Sequence, residues 1–305
     1  DLMKKCITAL LLLFTLSVTS LLACTSADKP ESATGKTSKT SKSINDKRTD
    51  LIPVTLNEVA HSIFYAPMYV AIEKNYFEKE GIDLSLVTGF GADKTMTAVL
   101  SGTADIGFMG SEASIYTYNE GARDYVVNFA QLTQRAGNFL VAREDIKNFK
   151  WEDLKGRKVI GGRKGGMPEM VFEYILKQNH IDPASDLTID QNIDFGSTAA
   201  AFAEEKADYD FTVEFEPGAT NLEKQEKGYV VASLGTDSGY VPYTAFSAKK
   251  SYISQHPEII QGFTNALQKG MNYVASHTPE EIAQVIAPQF NETTPDTITN
   301  IVSRY

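Results

Sequence analysis

From Leu51 onward, apolar residues fall in short runs that switch between the two-residue spacing of strands and the three-to-four spacing of helices. An apolar strand, Val54–Val59, leads into a loop holding His61, Phe64 and Tyr65. Pro67 then opens a helix, because its fixed φ and missing N–H suit a first helical turn, and Gly81 closes it. The alternation recurs twice more, with turns at Gly89 and Gly91 and at Gly110 and Ser111. A helix from Ser111 to Glu120 follows, then strands over Tyr125–Leu132 and Asn138–Arg143. Lys158–Gly161 predicts another strand, and "GGRKGG" (Gly161–Gly166) a glycine-rich turn into a helix with the stripe Val171, Phe172, Tyr174 and Ile175. Strands over Leu187–Phe195, Tyr209–Phe215 and Tyr229–Leu234 alternate with helices behind Ser197 and Pro217. Tyr243–Lys249 reads as a strand returning to the first region. The remainder is helical, with Thr278–Glu281 forming a capping box that has Pro279 at the first helical position. The pattern predicts an α/β fold, in which ligands settle where strand ends face helix N-termini.

The first fifty residues break this pattern. Asp1 and Leu2 precede Met3, which reads as the initiator. Lys4 and Lys5 introduce an apolar run, Ile7–Leu22, that is short for a membrane span and suits a secretory signal over residues 1–23. "LLAC" (Leu21–Cys24) resembles the lipobox at which bacterial lipoproteins are cleaved, so Cys24 is the expected lipidation site. A plain secretory signal or an uncleaved anchor is the alternative. Residues 24–50 are rich in Ser, Thr and Lys without an aromatic residue, which suits a disordered tether reaching on the order of 28 Å.

Cys6 and Cys24 are the two cysteines of the chain, so a processed protein has no disulfide and no thiol pair for zinc or redox work. Residues 51–305 hold 21 Lys plus Arg against 34 Asp plus Glu, a net charge of −13. So acidic a body excludes nucleic-acid partners, which need a basic stripe. It leaves a small anionic ligand open, since a cleft has its own local polarity.

Several groups could carry chemistry. His61, Phe64 and Tyr65 suit a stacking wall with polar tips for a flat ring; alternatively Phe64 is core and His61 is satisfied within its loop. Gly110 and Ser111 sit where a strand hands over to a helix; Ser111 suits an N-cap, and the backbone beside it could hold a ligand oxygen. Glu112 reads as a first-turn partner of the helix dipole. "GGRKGGMPEM" lacks phosphate-loop spacing, because Gly166 is followed by Met167 and Pro168. Glu214 and Glu216 flank Phe215 at a strand end, on one side by the two-residue period. They could act as general acid and base, accept ligand N–H groups, or be a solvated strand end. No Gly-x-Ser-x-Gly or His-Glu-x-x-His motif is present, and His61, His180, His256 and His277 have no ligand spacing. No metal, cofactor or catalytic group is therefore expected. Aromatic residues with carboxylates suit a nitrogen heterocycle such as an aminopyrimidine, whereas Arg163 and Lys164 would serve an anion.

Four stretches carry a family resemblance: "FYAPMYVAIEKNYFEKEGIDLSLV", "LSGTADIGFMG", "WEDLKGRKVIGGRKGGMPEM" and "AFSAKKSYISQHPEIIQGFTNAL". Over roughly Leu51–Pro288 the chain resembles the extracytoplasmic substrate-binding proteins of ABC importers. The branch is the one that handles nitrate, sulfonates, taurine and pyrimidine precursors of thiamine. The resemblance implies a periplasmic-binding-protein-like fold of type II, two α/β lobes joined by two crossing strands. Lobe 1 is expected over residues 51–141 and 243–305, and lobe 2 over residues 142–242. It implies capture of a small molecule by hinge closure, an ABC permease and ATPase as partners, a monomer, and a lipid-anchored place on the outer face of the bacterial membrane. It also implies a chain that continues past Arg304-Tyr305. The glycine turn faces the cleft in such relatives, which adds Gly165, Gly166 and Met167 to the expected ligand contacts. With His61, Phe64, Tyr65, Gly110, Ser111, Glu214 and Glu216 they form the expected site, and an aminopyrimidine-type ligand is favoured over sulfonate, taurine or nitrate. Two rivals of another class share the fold: a sensory lipoprotein, and a pyrimidine-synthase-like enzyme whose cysteine-rich motif is absent here.

Overall fold

The computed structural model describes residues 51–305; the expected signal segment, the lipidation site Cys24 and the tether lie outside the described residues. Ten strands form two five-stranded sheets. In chain order they are β1 (Ile52–Glu58), β2 (Ile82–Thr88), β3 (Ile106–Gly110), β4 (Val126–Thr133) and β5 (Phe139–Ala142). They continue with β6 (Lys158–Ile160), β7 (Thr188–Asp190), β8 (Phe211–Glu214), β9 (Tyr229–Ser233) and β10 (Thr244–Lys249). The first sheet runs β2-β1-β3-β10-β4 and the second β7-β6-β8-β5-β9. In each, three parallel strands meet one antiparallel strand that arrives from the other lobe: β10 beside β3, and β5 beside β8. The two sheets thus repeat one topology. Helices cover them, as fully apolar, fully buried strands such as β3 require.

The chain leaves the first sheet after Thr133 and enters the second at Phe139. Sequence reading expected the crossing within Asn138–Arg143 and the lobe boundary at residues 141 and 142. That boundary falls inside β5, which pairs with β8 and β9 and so belongs wholly to the second sheet. A short, fully buried apolar strand reads alike in either role; its partners decide. The return passage follows the helix Leu234–Ser238 and ends where β10 begins at Thr244. The two passages are tied together by Val241 N–H donating to the Gln134 carbonyl at 3.0 Å and Tyr243 N–H donating to the Thr133 carbonyl at 3.1 Å.

The expected strand Leu187–Phe195 shrinks to Thr188–Asp190. The Asp190 carboxylate accepts from the Asn192 N–H at 3.0 Å, an Asx turn that bends the chain out of the sheet. The capping box at Thr278 forms as expected, with reciprocal bonds to Glu281. Among the described residues, no helix is long and apolar enough to cross a membrane.

The helix Ala66–Glu73 carries the first loop into the centre of the molecule, and the long helix Pro257–Ser276 holds it there. The two approach closely at Gly270, where a Cβ would lie 2.1 Å from the Pro67 carbonyl oxygen. Gly270→Ala should therefore cost about 1–3 kcal/mol, because overpacking outweighs the helix propensity gained. Urea unfolding checks this, and an unchanged midpoint would show that the helices part freely.

Candidate functional site

The loops that follow β1, β2 and β3 face those that follow β6, β7 and β8, across the cleft at the carboxyl ends of the parallel strands. At its centre lies a closed cavity. Val59, Tyr65 and Gly110 wall it from lobe 1, Met167, Phe195 and Phe215 from lobe 2, and Tyr243 stands at the return passage. It leaves about 10 Å³, room for roughly one water molecule. The Phe195 and Phe215 rings lie 5.5 Å apart and pack against the lobe 1 core, so the lobes are shut.

Of the expected site residues, Tyr65, Gly110, Gly166 and Met167 meet at this cavity. Tyr65 is fully buried, with its ring edge-on to Phe108 at 4.6 Å. Its hydroxyl has no partner among the described residues. Burial, with Glu58 and Glu112 nearby, holds its pKa well above the ordinary tyrosine value.

Glu112 opens the helix Glu112–Asn119 and is 4 % exposed. Gly110 makes room for its carboxylate; a Cβ there would lie 2.1 Å from Oε2. Neither carboxylate oxygen has a hydrogen-bond partner among the described residues. Burial pushes its pKa up to about 7, while the backbone amides of Glu112 and Met167 face it and hold part of the shift back. Neither amide is aligned to satisfy it. Sequence reading took Glu112 for a helix-dipole partner, because burial on both sides arises only when the second lobe closes over it.

The other expected residues do not line this cavity. The His61 ring engages the Glu58 carboxylate at 2.7 Å through Nδ1 and the Gln289 carbonyl at 2.8 Å through Nε2. Burial opposes the charged ring, but the hydrogen bond and charge of the Glu58 carboxylate and the Gln289 carbonyl outweigh it, and the His61 pKa is raised. Glu58 is fully buried and also accepts from the Tyr69 hydroxyl at 2.7 Å and the Thr88 hydroxyl at 2.8 Å. Phe64 lies over Gly137 in the first passage, 5.0 Å from the Tyr305 ring, and does not line the cavity. The Ser111 hydroxyl donates to the Pro242 carbonyl at 2.7 Å and caps nothing, so it ties its helix to the return passage. Gly165 N–H is taken by the Glu169 carboxylate inside its own turn.

Glu214 and Glu216 line a neighbouring pocket of about 480 Å³ together with His61, Phe90, Phe195 and Phe215, residues of both lobes. The Glu214 carboxylate accepts from the Thr212 hydroxyl at 2.6 Å and the Thr198 hydroxyl at 2.9 Å, and burial pushes its pKa up to about 7. Glu216 accepts from Thr220 N–H at 2.9 Å, the Thr220 hydroxyl at 2.8 Å and Arg304 at 2.7 Å. Arg163 spans the cleft to Asp93 at 2.6 Å and also pairs with Asp194, which Lys94 reaches from lobe 1 at 2.6 Å. No group of three or more His, Cys, Asp or Glu placed to hold a metal occurs among the described residues.

Comparison with known proteins places this geometry. Residues 63–282 match the family described as NMT1/THI5 like. The chain belongs to the NMT1/THI5-like family. YtlA of Bacillus subtilis (strain 168), whose name marks it as an inferred binding protein, is 48 % identical over 255 residues, 84 % of this chain and 76 % of YtlA. Two solved structures are similar in fold. The alkanesulfonate-binding protein SsuA of Xanthomonas axonopodis pv. citri, bound to MOPS, has a TM-score of 0.69 at 14 % identity, covering 82 % of this chain and 83 % of that one. The periplasmic nitrate-binding protein NrtA of Synechocystis PCC 6803 has a TM-score of 0.67 at 17 % identity, covering 82 % and 70 %. The two-lobe α/β periplasmic-binding-protein-like fold expected from sequence is the fold that these solved structures share.

The raised pKa values of Glu112 and Glu214 predict a pH dependence. Each keeps its proton in the folded state up to about pH 7, while the unfolded chain releases it near 4.5. The unfolded state therefore binds fewer protons between these values, and stability falls as pH rises through that window. Each group contributes a loss of about 3 kcal/mol, complete above pH 7. Glu112→Gln should remove its share, so that its stability advantage over the wild type grows from pH 4.5 to 7 and then levels. Urea unfolding across pH reads this, and a constant difference would show that Glu112 is not desolvated.

Proposed function

We propose that the protein is the solute-binding component of an ABC importer, held by a lipid on Cys24 at the outer face of a bacterial membrane. In this reading it captures a flat, nitrogen-bearing small molecule, such as a thiamine-type aminopyrimidine, and presents the closed form to a permease and ATPase. The observation that carries the reading is the cavity itself. Tyr65 and Gly110 come from one lobe, Met167 and Phe215 from the other, so a ligand captured between the lobes would touch both as they close. Aromatic rings on both sides support a flat ligand.

An anionic ligand of the sulfonate, taurine or nitrate type would need a cation or a cluster of free donors. Arg163, the candidate cation, is paired with Asp93 and Asp194, and no Lys or Arg lines the central cavity among the described residues. A synthase-like reaction that consumes a histidine finds His61 outside this cavity with both ring nitrogens engaged. Similarity to a relative named as a binding protein supports binding without chemistry.

The test is a thermal-shift screen of the purified protein after unfolding and refolding to strip carried-over ligand. The panel holds aminopyrimidines, thiamine, taurine, alkyl sulfonates and nitrate. A ligand at a hundred times its Kd adds about 2.7 kcal/mol, a rise of roughly 5–10 °C for a domain of this size. The expected shift is with aminopyrimidines, and Met167→Trp, which fills the cavity, should abolish it. A shift with sulfonate or nitrate alone would replace the ligand and keep the capture.

A further inference from the structure

The pocket of about 480 Å³ beside the central cavity is of the size usual for small-molecule sites, roughly 300–1,000 Å³. Ala60, His61, Phe90 and Glu292 reach it from lobe 1, and lobe 2 supplies the rest of the wall. Three phenylalanines line it, Phe90, Phe195 and Phe215, with three carboxyl groups, Glu214, Glu216 and Glu292. None of the lining residues is Lys or Arg. When protonated, His61 is matched by Glu58 at 2.7 Å, and Glu216 is matched by Arg304 at 2.7 Å. Glu214 is held by the Thr212 and Thr198 hydroxyls, and neither it nor Glu292 pairs with a cation among the described residues. The wall therefore carries negative charge that the described chain leaves unbalanced. Phe90 is placed with care. It stands between Gly89 and Gly91 at the end of β2 with a φ of 58°, a left-handed backbone that a bulky residue keeps only when its surroundings hold it. Its ring crosses to lobe 2 over Gly196, where a Cβ would lie 2.8 Å from it, and the residue stays 40 % exposed.

We propose that this pocket is a second binding site, separate from the central cavity, and that it takes an organic cation of the quaternary-ammonium type. The faces of phenylalanine rings attract such a cation, most strongly where water is excluded. The buried carboxylates are already filled by their own donors: Glu214 by two threonines, Glu216 by Thr220 and Arg304. They have charge to offer a ligand and little hydrogen-bonding capacity. A quaternary ammonium has charge and no N–H group, so it asks for what the wall supplies. Burial holds the Glu214 carboxyl up to about 7, and a cation alongside would draw it into the ionised form. An anion meets the opposite sign of field. Because both lobes line the pocket, an ion held there favours the closed form.

Isothermal titration of the purified, refolded protein at pH 8 tests this with three probes: choline, benzyltrimethylammonium and 3,3-dimethylbutan-1-ol. The last has the shape of choline without its charge. The wild type should bind both cations, and the neutral analogue about tenfold more weakly or less tightly still. Phe90→Leu keeps apolar bulk and removes the ring, and should weaken the cations by about fivefold or more. Phe90→Tyr keeps the ring and should hold them within about twofold. Glu214→Gln removes the buried charge and should weaken them by about tenfold or more. Its melting temperature without ligand should be at or above that of the wild type, which separates loss of the site from loss of the fold. Failure of both cations to bind, or equal affinity for the neutral analogue, would overturn the ligand class. Unchanged affinity in either Phe90→Leu or Glu214→Gln would overturn the placement of the site. Each of these outcomes leaves the capture reading of the central cavity as it stands.

Discussion

The structure around the cleft depends on a buried carboxylate at the end of β1. Glu58 is fully enclosed, and an enclosed charge is tolerable only when donors surround it. His61, Tyr69 and Thr88 meet that need from three directions, and Tyr69 in turn accepts from the Ser62 N–H at 3.2 Å. The loop between β1 and the first helix is thereby wound about a fixed point, with the end of β2 tied to it. That winding drives the Tyr65 ring into the cavity. It also explains why His61, next to the cleft in sequence, is spent on the fold.

Closure is the second constraint, and it rests on different forces at the centre and the rim. At the centre, aromatic rings from lobe 2 complete the core of lobe 1, a non-directional gain that grows with the apolar area removed from water. At the rim, the Asp93, Arg163, Asp194 and Lys94 chain crosses the gap through partly exposed pairs, each worth little in stability. Such pairs set register and orientation more than strength. The C-terminal helix adds a third link, with Arg304 reaching Glu216 and Glu223 and the Tyr305 hydroxyl reaching the Gly137 carbonyl. The same groups that would have made an anion site are used to align the lobes.

The division of labour among the buried glutamates follows from where each chain segment ends up. Glu214 and Glu216 stand two apart on a strand end, and that spacing reads as a pair facing one ligand. In the fold Glu214 turns to Thr212 and Thr198 and Glu216 to Thr220 and Arg304, and Phe215 between them lines the cavity. Glu112 reads as an ordinary first-turn acid. Its distinction is environmental: a glycine beneath it, a second lobe above it, and no donor aligned to it.

The sequence by itself determined most of the elements, the repeated strand-to-helix turns and the edge of the sheets at which the cleft opens. Those features rest on local periodicity, on proline and glycine at helix ends, and on the general rule for open α/β sheets. Tyr65, Gly110, Gly166 and Met167 were legible as neighbours of that edge, since Gly110 ends a parallel strand and the others lie in the segments that follow one. Only the tertiary structure decided that Asn138–Arg143 belongs to the second sheet, that Phe195, Phe215 and Tyr243 close the cavity, and which carboxylates remain free. Those are long-range facts. A buried polar group is satisfied or left unsatisfied by residues scores of positions away, and neither composition nor spacing records which donor the folded chain brings to it.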